Sequence, residues 1–293
     1  MKLSHILLIV ALSFATAFGT VFYFGAGLLN SNIPAVQETA YNRVLRTGVL
    51  RCGYADSPPY ALVKDPSTGK ISGILPEVTE AIAAKLNLKV EWTENTGWGT
   101  FIESLRSHRT DVFCAGLWRQ GERGKYVGYA LPVYYVANYP YVAVDDHRFD
   151  QSLSSVNSPE TRISAMDGEQ SDIIAKTHFP KAKEVSVPQM GQLTDILVNV
   201  ATHKADIVFA EPSYVNAYLQ ANPNTLRLAQ DTPFQVFPSS LGVDIHEPEL
   251  RDMLDSALVE LHNQGVIEEI ISKYTSDPRV FLRVAKPYLS GTR

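Results

Sequence analysis

Long runs of like charge, closely spaced cysteines and the short signatures of common enzymes are all missing from this sequence. Lysine and arginine total 26 against 31 acidic residues, net −5, and no basic cluster is present of the kind that tracks phosphates, so nucleic acid is not an expected partner. Only two cysteines occur, Cys52 and Cys114, far apart and outside any CxxC or Cys/His spacing, which removes a zinc site from consideration. GxSxG, HExxH and GxGxxG are absent. Gly116 and Gly121 have the glycine spacing of a phosphate-binding loop, but Glu122-Arg123 follows where Lys-Ser/Thr is required. The seven histidines are scattered singly and read as surface residues rather than ligands. No cofactor or metal is expected.

What is present begins at the amino terminus. MKLSHILLIVALSFATAFGTVFYFGAGLLN carries Lys2 as its one formal charge, and a bilayer core is spanned by about 20 apolar residues. Two fates compete. Ala15-Thr16-Ala17 has the small-x-small form of a signal-peptidase site, yet cleavage there leaves the apolar FGTVFYFGAGLL on the mature chain. The length of the run favours an uncleaved signal anchor over residues 1–30 instead. No cysteine follows, which removes a lipoprotein anchor, and Lys2 on the short side directs the rest of the chain out of the cytoplasm.

Beyond Gln37 the pattern alternates. VLRCGYA, LKVEWTE and DVFCAGL read as strands, with helices over PEVTEAIAAKLN and TFIESLRSH between them. The series restarts with RISAMDG, a helix from about Ser171, KEVSVP, LTDILVNVATHK and DIVFAE. Strand and helix in turn predict an α/β fold, and two series of similar order predict two lobes. At the carboxyl end, Leu250, Leu254, Leu258 and Leu261 share one helical stripe, Gly265 predicts a left-handed cap, and VIEEIISKY starts a second helix. No longer-range sequence repeat is evident. The tail SDPRVFLRVAKPYLSGTR is short and basic, a packing extension or a docking strip.

Several pieces fall in an order that resembles the family 3 periplasmic solute-binding proteins, the amino-acid-type receptors of ABC transporters. They are CGYADSPPY, GILPEVTEAIAAKL, WGTFIESLRSHRTDVFCAG, an arginine closing the next loop, Pro132-Val133-Tyr134-Tyr135, and PELRDMLDSALVELHNQGVIEEIISKY. The resemblance covers roughly residues 41–275. It implies a two-lobed periplasmic-binding-protein fold, with two parallel or mixed sheets flanked by helices and two hinge strands. Lobe 1 is then 41–140 with 240–293, lobe 2 is 141–239, and the hinges fall near NYPYVAVDD and FQVFPSSLG. The implied partners are a small-molecule ligand, a membrane permease and, through the N-terminal helix, the membrane. The implied location is the periplasm, with the chain tethered to the inner membrane by an uncleaved N-terminal helix.

The resemblance also assigns residues. Arg123 would grip a ligand carboxylate with its planar fork, Glu211 would take an ammonium group from the opposite lobe, and Trp98 and Tyr60 would wall the cleft beside Gly116. Two positions depart from the family pattern. Trp118 stands where a Ser or Thr usually serves the carboxylate, and Gly168-Glu169 replaces Gly-Thr at a helix entry. An indole offers one N–H and no acceptor, so a flat, aromatic or cationic ligand stacking on Trp118, Trp98 and Tyr60 suits the site as well as a standard amino acid. In this fold the strands of Cys52 and Cys114 are neighbours; two buried free thiols are expected, with a bridge as the alternative in an oxidising compartment. Two other functions stay open on the same fold: a periplasmic dehydratase of prephenate-type acids using Glu211 or Glu169, and a ligand-sensing module.

Overall fold

The computed structural model describes residues 38–55, 63–65, 67–188 and 191–284. The anchor expected over residues 1–30 lies outside the described residues, as does Tyr60; among the described residues no helix is long and apolar enough to cross a membrane.

Both α/β series form where their sequence pattern places them. Helix α1 (Ala40–Thr47) leads into strand β1 (Val49–Tyr54), and a small hairpin, β2 (Val63–Lys64) and β3 (Ile71–Ser72), precedes α2 (Ile74–Lys85). Gly73, at φ 128°, opens α2, which buries Ile74, Val78 and Ile82 at helical spacing. Then come β4 (Lys89–Asn95), α3 (Phe101–Arg106), β5 (Val112–Trp118) and the long strand β6 (Val127–Ala143). The second series comprises β7 (Arg162–Met166), α4 (Gln170–His178), β8 (Lys183–Val187), α5 (Asp195–Ala201) and β9 (Ile207–Ala210). It closes with α6 (Pro212–Ala221), β10 (Leu226–Leu228) and β11 (Gln235–Asp244). Helices α7 (Pro248–Asn263) and α8 (Val266–Ser272) follow, separated by Gly265 at φ 77°, the left-handed cap its position predicts.

The strands run in the order β4-β1-β5-β11-β6-β9-β7-β8, with β10 also on β6. Pairs β1–β4, β1–β5, β7–β8 and β7–β9 are parallel, while β11 and β9 join antiparallel, so the sheet is mixed. Strand β6 is common to both halves. Its first part, Val127–Asn138, pairs with β11, and Tyr139–Val142 pairs with β9. The apolar residues gather accordingly. One large core joins α1, α2, β1 and β5 to the buried stripe Leu250, Leu254, Leu258 and Leu261 of α7. Two further clusters lie on the other side, around Val208 and around Phe209. The fold is thus a two-lobed α/β architecture.

A repeat hidden from the sequence pattern emerges here. Ser107-His108-Arg109-Thr110-Asp111-Val112 and Thr202-His203-Lys204-Ala205-Asp206-Ile207 end a helix and enter a strand in the two halves, with His108 and His203 both left-handed at φ 54° and 57°. Asp111 accepts from the backbone N–H of Arg51 at 2.8 Å and from its guanidinium at 2.9 Å. Asp206 does the same with Arg162, at 2.7 and 2.8 Å. In each lobe, a carboxylate ahead of one strand ties down an arginine on its parallel neighbour, a charge-assisted clamp. Asp111 adds Arg43 of α1, and Asp206 adds Arg148. Burial would raise the Asp206 pKa, but these arginines prevail and hold it down to about 2.

The cysteines overturn the expected free thiols. Cys52 and Cys114 form a disulfide, their Cα atoms 5.7 Å apart. The reason is register: β1 and β5 are adjacent, Cys52 lies opposite Val112, and both side chains enter the same core. A bridge spanning 62 residues restricts the unfolded chain. Replacing both cysteines by alanine is expected to cost about 2–4 kcal/mol in urea melts, and thiol titration of the unfolded, unreduced chain should find no free group.

The described part of the C-terminal tail is a packing extension. Tyr135 and Leu282 exchange backbone hydrogen bonds, both 2.8 Å, at β6. Phe281 packs on Tyr134 with ring centroids 4.6 Å apart. Asp277 accepts from Asn216 of α6 at 3.0 Å, and Arg279 lies 3.4 Å from Asp231. This strap keeps Phe281 in the core that holds α8 and reaches Asn216 and Asp231 of the other half.

Candidate functional site

Beside β6 a cleft opens, with about 410 Å³ of empty space including its open mouth, lined by Trp118 of β5, Asn138 of β6 and residues at the starts of α4 and α6. Its walls come from strand ends and helix starts, because in a parallel α/β arrangement those are the points where chain direction reverses and side chains face open space. Glu169 stands at the N-cap of α4 and Glu211 at the N-cap of α6, and neither side chain caps its own helix. Both carboxylates are thereby left to the cleft.

Their electrostatics are unusual. Burial first and the neighbouring Glu169 charge second push the Glu211 carboxyl up to about 7, with the Ser213 hydroxyl only partly opposing them. Burial also raises Glu169, against a backbone N–H from Gln170 and the charge of Arg123. No described base forms an ion pair with either acid. Two polar side chains that line the same cleft are likewise unmatched. Asn138 is 3% exposed with Nδ2 unpartnered, and Gln170 is 6% exposed with Oε1 unpartnered, among the described residues. Buried polar atoms are normally satisfied.

Trp118 closes one wall. It ends β5, opposite Ser239 of β11, and stacks on Phe237 with centroids 5.5 Å apart at 22°. Its ring therefore faces the cleft from a fixed mount. Arg123 begins a short 3₁₀ turn, Arg123–Lys125, and lies over the Phe101 ring at 5.7 Å. Phe101 stacks on Phe113, and Trp98 meets Phe113 edge-on at 5.6 Å, so Trp98 and Arg123 flank one aromatic pair. Trp98 is 43% exposed and stands at this rim rather than in the cleft wall. The Arg123 charge reaches Glu169 across the opening; Glu211 feels Glu169 instead. Arg123 thus faces Glu169 more directly than its expected counterpart, Glu211.

Gly116 acts one layer behind. Its φ is +79°, and a Cβ there would meet Ser239 Oγ at 2.7 Å and Leu75 Cδ1 at 2.8 Å. Ser239 in turn hydrogen-bonds the buried Tyr134, which lies within reach of the Glu211 charge. The glycine lets β5 and β11 approach closely enough to set that line of residues. Reading the sequence missed Asn138, Gln170, Phe209 and Tyr214, all of which line the cleft. Two had a local signal: Gln170 follows Glu169 into α4, and Tyr214 lies in the first turn after Glu211. Asn138 and Phe209 had none, because only the pairing of β6 with β9 and β11 brings them to one place.

Solved structures share this fold at low identity. An ancestral amino acid-binding protein, described as a precursor of cyclohexadienyl dehydratase, matches at TM-score 0.64 and 21% identity, over 81% of this chain and 99% of its own. AbpA from Streptococcus pneumoniae, an amino acid ABC transporter substrate-binding protein solved with L-arginine, matches at 0.61 and 20%, over 79% and 96%. A Bacillus subtilis protein matches at 0.67 and 17%, over 84% and 96%. Likeness at that identity speaks for the fold alone. Sequence carries the membership: residues 50–277, over three quarters of the chain and containing every cleft residue named above, match one family throughout. With two lobes, a cleft lined by residues of both and that match, this chain belongs to the bacterial extracellular solute-binding proteins, family 3.

Proposed function

We propose that this protein is the extracytoplasmic receptor of an ABC importer, capturing a small amino-acid-like solute between its lobes. One observation carries the reading. Among the described residues, the cleft holds two acids with no ionic partner within salt-bridge distance and the unpartnered acceptor Gln170 Oε1, for which a solute with N–H donors supplies partners. The unpartnered donor Asn138 Nδ2 takes an acceptor of the same solute. Glu211 takes the ammonium group, Arg123 takes the carboxylate as the lobes close, and Trp118 offers a face for the solute's stem. Trp98 completes the rim, and Tyr60, outside the described residues, is a further proposed ligand contact. Closure by hinge motion presents a new surface to a permease. The relatives above that bind amino acids through this fold favour the same solute class.

Lobe 1, over 41–140 and 240–293, and lobe 2, over 141–239, are the proposed moving parts. The test is a melting-temperature screen of the purified chain against amino acids and amines. A millimolar binder should raise Tm; a screen in which no small polar solute moves it would remove the reading. Residues 1–30 are proposed to tether the receptor to the inner membrane as an uncleaved helix. The chain should then stay in the membrane fraction through a high-salt wash, and full release into the soluble periplasmic fraction would exclude the tether.

A second reading follows from the raised Glu211 carboxyl, pushed up to about 7 as a general acid requires. It could protonate a leaving hydroxyl in a dehydratase reaction. Turnover of a prephenate-type acid by the purified chain, lost in Glu211→Gln, would establish it.

A further inference from the structure

The C-terminal strap reaches the neighbourhood of Glu211 from outside the cleft. Helix α6 begins at Glu211 and brings Tyr214 to the cleft, but its fully buried residues, Pro212, Ser213 and Val215, all lie in its first turn. Farther along, Tyr218 and Leu219 are only partly buried against the core. Between the two stretches stands Asn216, whose Nδ2 donates to Asp277 Oδ2 at 3.0 Å. Asp277 is itself held in place. Its Oδ1 accepts from the backbone N–H and from Nε of Arg279, both at 3.0 Å, and its Oδ2 accepts from Arg279 Nη2 at 3.0 Å. Its backbone N–H donates to Thr275 Oγ1 at 3.1 Å. The Arg279 bonds keep the Asp277 carboxyl down at about 2 against burial, so the acceptor offered to Asn216 is charged and the bond is charge-assisted.

The far end of the strap meets a neighbour of the same acid. Phe281, 3% exposed, packs on Tyr134, and Leu282 exchanges backbone bonds with Tyr135. Tyr134 is the β6 residue within reach of the Glu211 charge. The strap from Asp277 to Leu282 thus grips both the strand beside Glu211 and the helix that Glu211 begins. From this double attachment we infer that Asp277 and Asn216 are positioning residues for the cleft: neither lines it, and their bond, with Phe281 seated on Tyr134, holds the start of α6 against β6 so that Glu211 stays shielded from water. The inference rests on the receptor reading for the role of Glu211. Without the Asn216 bond, the first turn of α6 alone carries the helix, and any loosening of that turn hydrates the acid.

The experiment is an NMR titration of the glutamate side-chain carboxyls in the full chain without solute, with Glu211→Gln to assign the signal. Glu211 faces Glu169 of α4, Ser213 and Tyr214 of its own helix and Tyr134 of β6. A common Glu169→Gln background leaves one of these acids to titrate, so the midpoint belongs to Glu211 alone. In that background it should lie well above the ordinary value of about 4.3. Asn216→Ala should lower it by about one pH unit or more, because hydration favours the carboxylate. Alanine is the better helix former, so a weaker α6 would not be the cause. Asp277→Ala should act in the same direction. Asn216→Asp combined with Asp277→Asn rebuilds a donor–acceptor pair across the same gap and should restore the midpoint. A bond that serves stability alone would lower Tm in the two alanine variants and leave the midpoint in place, and that result would overturn the inference. An exchanged pair that fails to restore the midpoint, or a Glu211 that titrates near 4.3 before any strap change, would overturn it as well. No solute enters this titration, so its failure leaves the receptor reading standing, and that reading fails instead in the melting-temperature screen.

Discussion

Glu211→Gln should make the ligand-free protein more stable at pH 8 while weakening solute binding at least 100-fold. In the unfolded chain the carboxyl ionises at about 4.3, whereas in the cleft it keeps its proton up to about 7. Between those values unfolding releases a proton, so stability falls as pH rises, and by pH 8 the cost is complete at about 3 kcal/mol. Glutamine removes that cost. Tm should rise by roughly 5–10 °C at pH 8 and stay unchanged at pH 4. The binding loss comes from the same change, because a neutral amide cannot neutralise an ammonium group in a desolvated site. Wild-type affinity for a cationic solute should weaken about tenfold per pH unit below 7 and level off above it, since the cation requires the ionised carboxylate. The groups facing Glu211 are Glu169, Tyr134, Tyr214 and the Ser213 hydroxyl. Both tyrosines stay protonated across this range, so Glu169 is the one neighbour that titrates with it. Thermal melts and titrations across pH 4–8 check both halves of the prediction; a variant with unchanged stability at pH 8 would mean Glu211 is solvated.

Gly116→Val should cost about 3–5 kcal/mol. Two effects add. A β-branched residue at φ +79° is strained by its own backbone, and its Cβ would press on Ser239 Oγ and Leu75 Cδ1 at 2.7 and 2.8 Å. Alanine at the same site should cost less, about 2–3 kcal/mol, because the second branch is gone. Urea melts of the two variants give the order directly. A valine variant as stable as wild type would show that β5 and β11 can separate freely at this point.

Much of the architecture was legible because its determinants are local. Apolar spacing found α2 and α7, Gly265 found the cap between α7 and α8, and short apolar runs found the strands of both halves. Whole-chain order of small motifs carried the family. What escaped depends on pairing between distant segments. The resemblance placed the strands of Cys52 and Cys114 side by side, but whether their side chains meet closely enough to bridge depends on register between segments 62 residues apart, which the sequence does not encode. The Asp111 and Asp206 clamps form a repeat of six residues with few identities, recognisable only once both are seen binding an arginine on the adjacent strand. In the site, Glu169, Glu211 and Trp118 were found through departures and matches at helix starts and a strand end. Asn138 and Phe209 were not, because they sit within strands whose apolar or mixed surroundings look like any core.

The strap from Asp277 to Leu282 changes what the junction can do. Two crossing strands alone form a ribbon that can twist as well as bend, leaving the approach of the lobes loosely directed. A third crossing, bonded to β6 at Tyr135 and anchored at Asn216, gives the junction breadth. Breadth confers torsional stiffness, so in the proposed closure the lobes would swing about one line like a door on spaced pins, and the rim that carries Arg123 would return to the same spot on every cycle.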